Sequence, residues 1–203
     1  MGIITPPQKV KLIIGIISAY PELILPLESA LVKKFGPIDH RAGPFPFNFT
    51  DYYEAEMGKG LNRWFGSFKK LIAPDNIARI KIWTNRLEEK FVHLTPKYLK
   101  VATIPSLTGS RQRDEGQGEP LSISRPINLD PGYLTAAKLV LFSTKDYSHR
   151  IYLSGGIYAE VTLQYSRGQY QPLPWTYPDY QTPPYLEFFQ HVRQNYLAQL
   201  KQP

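Results

Sequence analysis

The chain contains no cysteine, which removes disulfides, thiolate zinc sites, iron–sulfur clusters and cysteine nucleophiles together. Its four histidines, His40, His93, His149 and His191, are scattered, and no pair stands at HxH or HxxxH spacing. A histidine-rich metal site would therefore have to be assembled across the fold. No apolar run approaches the ~20 residues that a membrane helix needs. The stretch Leu12-Ile13-Ile14-Gly15-Ile16-Ile17 behind Lys9 and Lys11 is short for a signal-peptide core. Pro6-Pro7 precedes it and no Ala-x-Ala site follows, so it reads as a buried first strand in a soluble, cytoplasmic protein. Also missing are the GxxxxGK[ST] phosphate loop, GxGxxG after a strand, the GxSxG elbow and HExxH. Chemistry, if present, rests on constellations rather than on a motif.

What the chain does have is enough apolar material for one ordinary domain spanning 1–203: 42% of 203 residues are hydrophobic, so collapse is expected. Nineteen prolines, about twice the usual share of ~5%, favour fixed loops and short elements over a helical bundle. The formal charge of +7 favours an anionic partner.

Residues 9–19 read as a strand between Pro7 and Pro21. A short helix follows at 26–35, with Leu27, Leu31 and Phe35 on one face and Gly36-Pro37 as its stop. Residues 45–57 alternate like a strand, and 61–72 can return as its partner after Gly58-Lys59-Gly60. Pro74-Asp75 opens a helix to about 92, and 97–104 looks like another strand. That order, β-α-β-β-α-β, is ferredoxin-like. The polar, glycine-bearing stretch 105–125 reads as a mobile loop or a lid.

In the last third, 125–130 reads as a short strand. Asp130-Pro131 matches an N-cap with proline at the first helical position, so a helix is expected through Leu134, Ala137 and Leu141. Residues 148–153 and 157–165 form a hairpin, with Ile151 facing Ala159 and Leu153 facing Ile157 on one side. Tyr152 faces Tyr158 and Arg150 faces Glu160 on the other. Thr182-Pro183 caps a final helix with Tyr185, Phe189, Val192 and Tyr196 inward. The fold class expected is α+β: a mostly antiparallel sheet, helices on one face, a ferredoxin-like first half, then a C-terminal hairpin and helix.

Three constellations carry candidate chemistry. Around Asp130-Pro131-Gly132-Tyr133, free N–H groups of a helix start and the cations Lys138, Lys145 and Arg150 can hold a phosphate. Beside them His149, flanked by Lys145, Asp146 and Arg150, is a candidate acid–base group. Arg150 and Glu160 also fit an ordinary cross-strand ion pair. An acidic set, Asp39, His40, Asp51, Glu54 and Glu56, has irregular spacing and reads as a solvated edge rather than a metal site. A basic set, Lys59, Arg63, Lys69 and Lys70 among Trp64, Phe65 and Phe68, suits either nucleic-acid contact or a strand with one apolar and one charged face.

The segments Asn128-Leu129-Asp130-Pro131-Gly132-Tyr133, Thr144 to Leu153 and Gly156 to Leu163 resemble a bacterial and archaeal family of unknown function, DUF4416. The NLDPGY hexapeptide looks like that family's signature, and the likeness runs nearly end to end. The resemblance implies no particular chemistry or cofactor; it draws attention to Asp130, Lys145, His149, Arg150 and Glu160, which share the matching block. The reading from sequence is a binding or processing site for a small phosphorylated or nucleotide-like ligand. Asp130 and His149 are the candidate catalytic groups, and Gly132, Lys138, Lys145, Arg150 and Glu160 the candidate binding groups. The alternatives are a nucleic-acid-binding module and a protein-interaction or assembly protein without catalysis.

Overall fold

The computed structural model describes residues 2–98 and 124–201. Eight strands form one antiparallel sheet: β1 (Lys11–Ser18), β2 (Ile38–Pro46), β3 (Asn62–Phe68), β4 (Ile127–Leu134), β5 (Lys138–Ser143), β6 (Ile151–Ser154), β7 (Ile157–Ser166) and β8 (Gln169–Pro172). Their spatial order is β2-β3-β1-β4-β5-β7-β6, with β8 also paired to β7. Among the described residues four α-helices accompany them: α1 (Ile24–Phe35), α2 (Glu54–Met57), α3 (Ile77–Tyr98) and α4 (Pro183–Leu200). Among the described residues no helix is long and apolar enough to cross a membrane.

The first four strands, with α1 and α3, have the ferredoxin-like sheet order that the element order predicts. The fourth strand comes later than expected. Part of 97–104 belongs to the end of α3, and the rest, like most of 105–125, lies outside the described residues. The strand that completes the half-sheet is β4, at 127–134. Ser124 and Arg125, the end of that polar stretch, are tied down: both backbone N–H groups donate to the Glu56 carbonyl, at 3.1 and 3.0 Å.

Side-chain alternation along β1 decides the layering. Leu12, Ile14 and Ile16 face α1 and α3, joining Leu27, Leu31, Phe68, Leu87 and Phe91. Ile13 faces the other way, into a core with Phe65, Leu139, Leu163 and the α4 residues Tyr185, Phe189, Val192 and Tyr196. One-sided packing therefore holds for α1 and α3, while α4 covers the opposite face of the same sheet. An all-buried first strand, apolar at every position but its ends, is what a sheet covered on both faces requires.

The helix expected at 131–141 is instead the hairpin β4–β5. Pairing of Gly132 with Leu141 and Leu134 with Leu139 buries Leu139 and Leu141 toward α4. Val140 and Phe142 pack toward Ile77 and Ala78 of α3. Two-sided burial, rather than the local Asp-Pro signal, selects the strand. Gly132 consequently donates nothing at a helix start. A Cβ there would lie 2.5 Å from the Val140 carbonyl oxygen and 2.7 Å from Leu141 Cδ2, so glycine is what lets the two strands close up. In the 45–57 region β2 ends at Pro46, and Phe47, Tyr53 and Met57 fold over Ile17 and Leu61 as a small separate cluster. The β6–β7 hairpin keeps the expected Ile151–Ala159 and Tyr152–Tyr158 pairs. A shift after Tyr152 then places Ser154, not Leu153, opposite Ile157.

Candidate functional site

The site grows from a split in the sheet. β4 pairs with β1 along Ile127–Leu134, but with β5 only over Gly132–Leu134. Pro131 stands at the split and has no N–H to offer a further rung. The exposed backbone of β4 is satisfied by α3 instead. Lys81 Nζ donates to the Leu129 carbonyl at 2.7 Å, and the Leu129 N–H donates to Glu88 Oε1 at 2.8 Å. Burial pushes the Glu88 carboxyl up despite the neighbouring Lys81 and Arg125. Arg125 returns the charge, donating to Glu88 Oε2 at 2.7 Å and to the Asn128 side-chain oxygen. Beyond this split, at the strand ends, opens a cleft of about 430 Å³.

Its inner wall is an ion-pair network centred on Arg63. The guanidinium, 4% exposed, donates to Asp130 at 2.6 Å and Asp179 at 3.1 Å, and lies over the rings of Phe47 and Tyr180. Gly15 makes room for it, being opposite both Phe65 in β3 and Asp130 in β4. A Cβ there would stand 2.8 Å from Arg63 Nη1. Burial works against the Arg63 charge, but the neighbouring Tyr180 and the Asp130 and Asp179 carboxylates outweigh it. The same pairing overcomes burial at Asp130 and holds its carboxyl below the usual range. Asp179, buried beside a second carboxylate, is pushed up.

The outer wall centres on Glu160, opposite Leu141 on β7. Its buried carboxylate accepts from Arg150 Nε at 2.7 Å and from Thr162 at 3.2 Å, and lies 3.1 Å from His149 Nε2. Arg150 is fully engaged, donating also to the Ser143 hydroxyl, the Lys145 carbonyl and the Tyr177 hydroxyl. Lys145 differs. Its Nζ lies 4.7 Å from the Tyr52 ring centroid and 3.2 Å from the Tyr52 hydroxyl. Among the described residues it has no ion pair.

The candidate residues thus divide. Asp130, Lys145, Arg150 and Glu160 line one cleft. Lys138 sits at the exposed start of β5 and Gly132 serves strand packing; neither lines it. His149 is held outside the lining, stacked between Tyr147 at 6.0 Å and Trp175 at 5.3 Å. Arg63, Lys81, Arg125 and Asp179 were not read from sequence as members of this site. For Arg63 one signal existed, since the period of two places it on the same strand face as Phe65. The acidic set does not assemble. Asp39 pairs with Lys11 and accepts from Ser67, His40 stacks on Phe188, and Glu54 and Glu56 lie on α2 rather than on a strand. Among the described residues no group of three or more His, Asp or Glu gathers to hold a metal.

This architecture can now be set beside known proteins. Residues 8–108 and 113–196 match the family model described as Domain of unknown function (DUF4416). The chain belongs to the DUF4416 family. No curated protein and no solved structure matches it. In this DUF4416 member, Asp130 and Pro131 of the NLDPGY segment form the split of the sheet, and the later matching segments supply Lys145, Arg150 and Glu160 to the opposite wall.

Proposed function

We propose that the cleft binds a small phosphorylated, nucleotide-like ligand. The observation that carries this reading is Lys145. It stands in the lining with no carboxylate partner among the described residues, whereas Arg63, Arg125 and Arg150 in the same lining are held by carboxylates. An ammonium at such a mouth, held only by Tyr52 and by no carboxylate among the described residues, is suited to a phosphate oxygen. Around it are exposed aromatic rings: Tyr52 is 63%, Tyr147 54% and Tyr177 46% solvent-accessible. Clustered exposed rings at one opening favour a flat, partly apolar group such as a base. Deeper in, Tyr180 Oη is buried with no hydrogen-bond partner among the described residues, so a polar ligand atom would find a donor there.

Binding is favoured over acid–base chemistry. Asp130 is paired with Arg63, and His149, whose Nε2 lies against the Glu160 carboxylate, is not itself part of the cleft lining. The test is a thermal-shift screen against nucleotides, sugar phosphates and divalent ions. A ligand at about 100 times its Kd should stabilise by about 2.7 kcal/mol, roughly 5–11 °C for a domain this size. No shift with any phosphorylated compound, from well-folded protein, would overturn the reading.

A further inference from the structure

A second concavity lies on the opposite, ferredoxin-like side. It is a groove of about 610 Å³ between the approach to β1, the end of α1, the β3–α3 connection and the first turns of α3. Its lining contains Lys9, Lys34, Lys70, Arg79 and Arg86 and no acidic side chain. All five cations are exposed, and among the described residues none is in an ion pair. Phe35, Ile80 and Trp83 supply an apolar floor, with Lys34 Nζ 5.7 Å from the Trp83 ring centroid and Phe35 packed edge-on against Trp83 at 5.1 Å. The basic strand suspected from sequence is not this surface. Arg63 is buried between two carboxylates, and only Lys70 of that set reaches the groove.

Five exposed like charges around one hollow raise a local positive potential that attracts a polyanion. We infer that this groove binds a single-stranded nucleic acid, its phosphates on the rim cations and a base against the Trp83–Phe35 floor. Arg79 and Arg86 are seven residues apart on one helix. That spaces them about 10.5 Å along the axis, so they can meet separate phosphates of an extended strand. A recessed groove of this shape admits a chain more readily than the flat surface of a bilayer. Cations tracking a backbone beside an aromatic platform are how sequence-tolerant single-strand binding is achieved. This inference is independent of the cleft and of Lys145.

The test is fluorescence anisotropy with a labelled oligoribonucleotide of about 12 nucleotides, titrated with the full chain at several salt concentrations. With up to five phosphate contacts the slope of log K against log salt is expected near −3.5. Lys34→Ala/Arg79→Ala/Arg86→Ala should flatten it to about −1.4 and weaken binding roughly tenfold or more at low salt. All three side chains are exposed, so the variant should keep the wild-type melting temperature, measured alongside. No binding by the wild type, or an unchanged slope in the triple variant, would overturn the assignment. So would binding to phosphatidylserine vesicles without binding to the oligonucleotide. A Lys145→Ala variant as weak as the triple variant would move nucleic acid to the cleft and equally overturn it.

Discussion

Replacing Arg63 by methionine is the most severe single perturbation the site offers. The guanidinium is buried and donates to Asp130 and Asp179; methionine keeps much of the apolar contact with Phe47, Phe65 and Tyr180 but leaves two carboxylates facing each other without a counter-charge. Removing one partner of a buried ion pair costs about 3–5 kcal/mol. For a domain of this length that is roughly 6–20 °C in melting temperature. The loss must also depend on pH, and its sign follows from the pairing. In the wild type, Arg63 draws both carboxyls downward, leaving Asp130 below its ordinary value of 3.8 while burial still leaves Asp179 above it. A depressed carboxyl stabilises the fold above its unfolded pKa, and that contribution fades as pH falls through the folded value. Without Arg63 both folded pKa values rise. The deficit of the variant is then complete near neutral pH and shrinks toward about pH 4, where the carboxyls take up protons. Calorimetric melts of both proteins across that range measure it. A variant within about 1 kcal/mol of wild type at neutral pH, or a deficit that does not change with pH, would refute the reasoning.

Two further predictions concern the frame and the wall of the cleft. Gly132→Ala forces a methyl against the Val140 carbonyl and should destabilise by at least about 1–3 kcal/mol, read in chemical denaturation; a neutral outcome would show that β4 and β5 can separate freely. Tyr53 is half-buried, and that burial together with the Asp130 carboxylate pushes its phenol up to about 12. Difference ultraviolet titration of wild type against Tyr53→Phe should show that phenolate appearing only near pH 12; an ordinary pKa would mean the cleft wall is more open than described.

Much of the frame was legible because it rests on local pattern. The unbroken run in β1, the Arg150–Glu160 and Tyr152–Tyr158 relations of the β6–β7 hairpin, and the inward face of α4 all follow from periods of 2 and 3.6. The hairpin at 127–143 was not legible. Asp130-Pro131 followed by Leu134, Ala137 and Leu141 satisfies a helix locally, and only burial on both faces of Leu139 to Phe142 reverses it. The side that α4 covers could not be read either, since an inward stripe does not say which face of a sheet receives it. The site divides similarly. Lys145, Arg150 and Glu160 lie within one hairpin region, and their proximity follows from sequence spacing. Arg63 meets Asp130 across 67 residues and Asp179 across 116. Such pairings arise from sheet order and from the segment laid over it, and no local signal announces them.

The central claim is that Lys145 and its ring of tyrosines take a phosphorylated ligand. Calorimetric titration of the best nucleotide from the screen, into wild type and Lys145→Ala, tests it most directly. Lys145 is exposed, so the variant should fold with stability within about 0.5 kcal/mol of wild type. Losing one charge-assisted hydrogen bond of about 1.5–3 kcal/mol should weaken binding by roughly 10- to 150-fold. Equal affinity in the two proteins would contradict the account and place the ligand elsewhere.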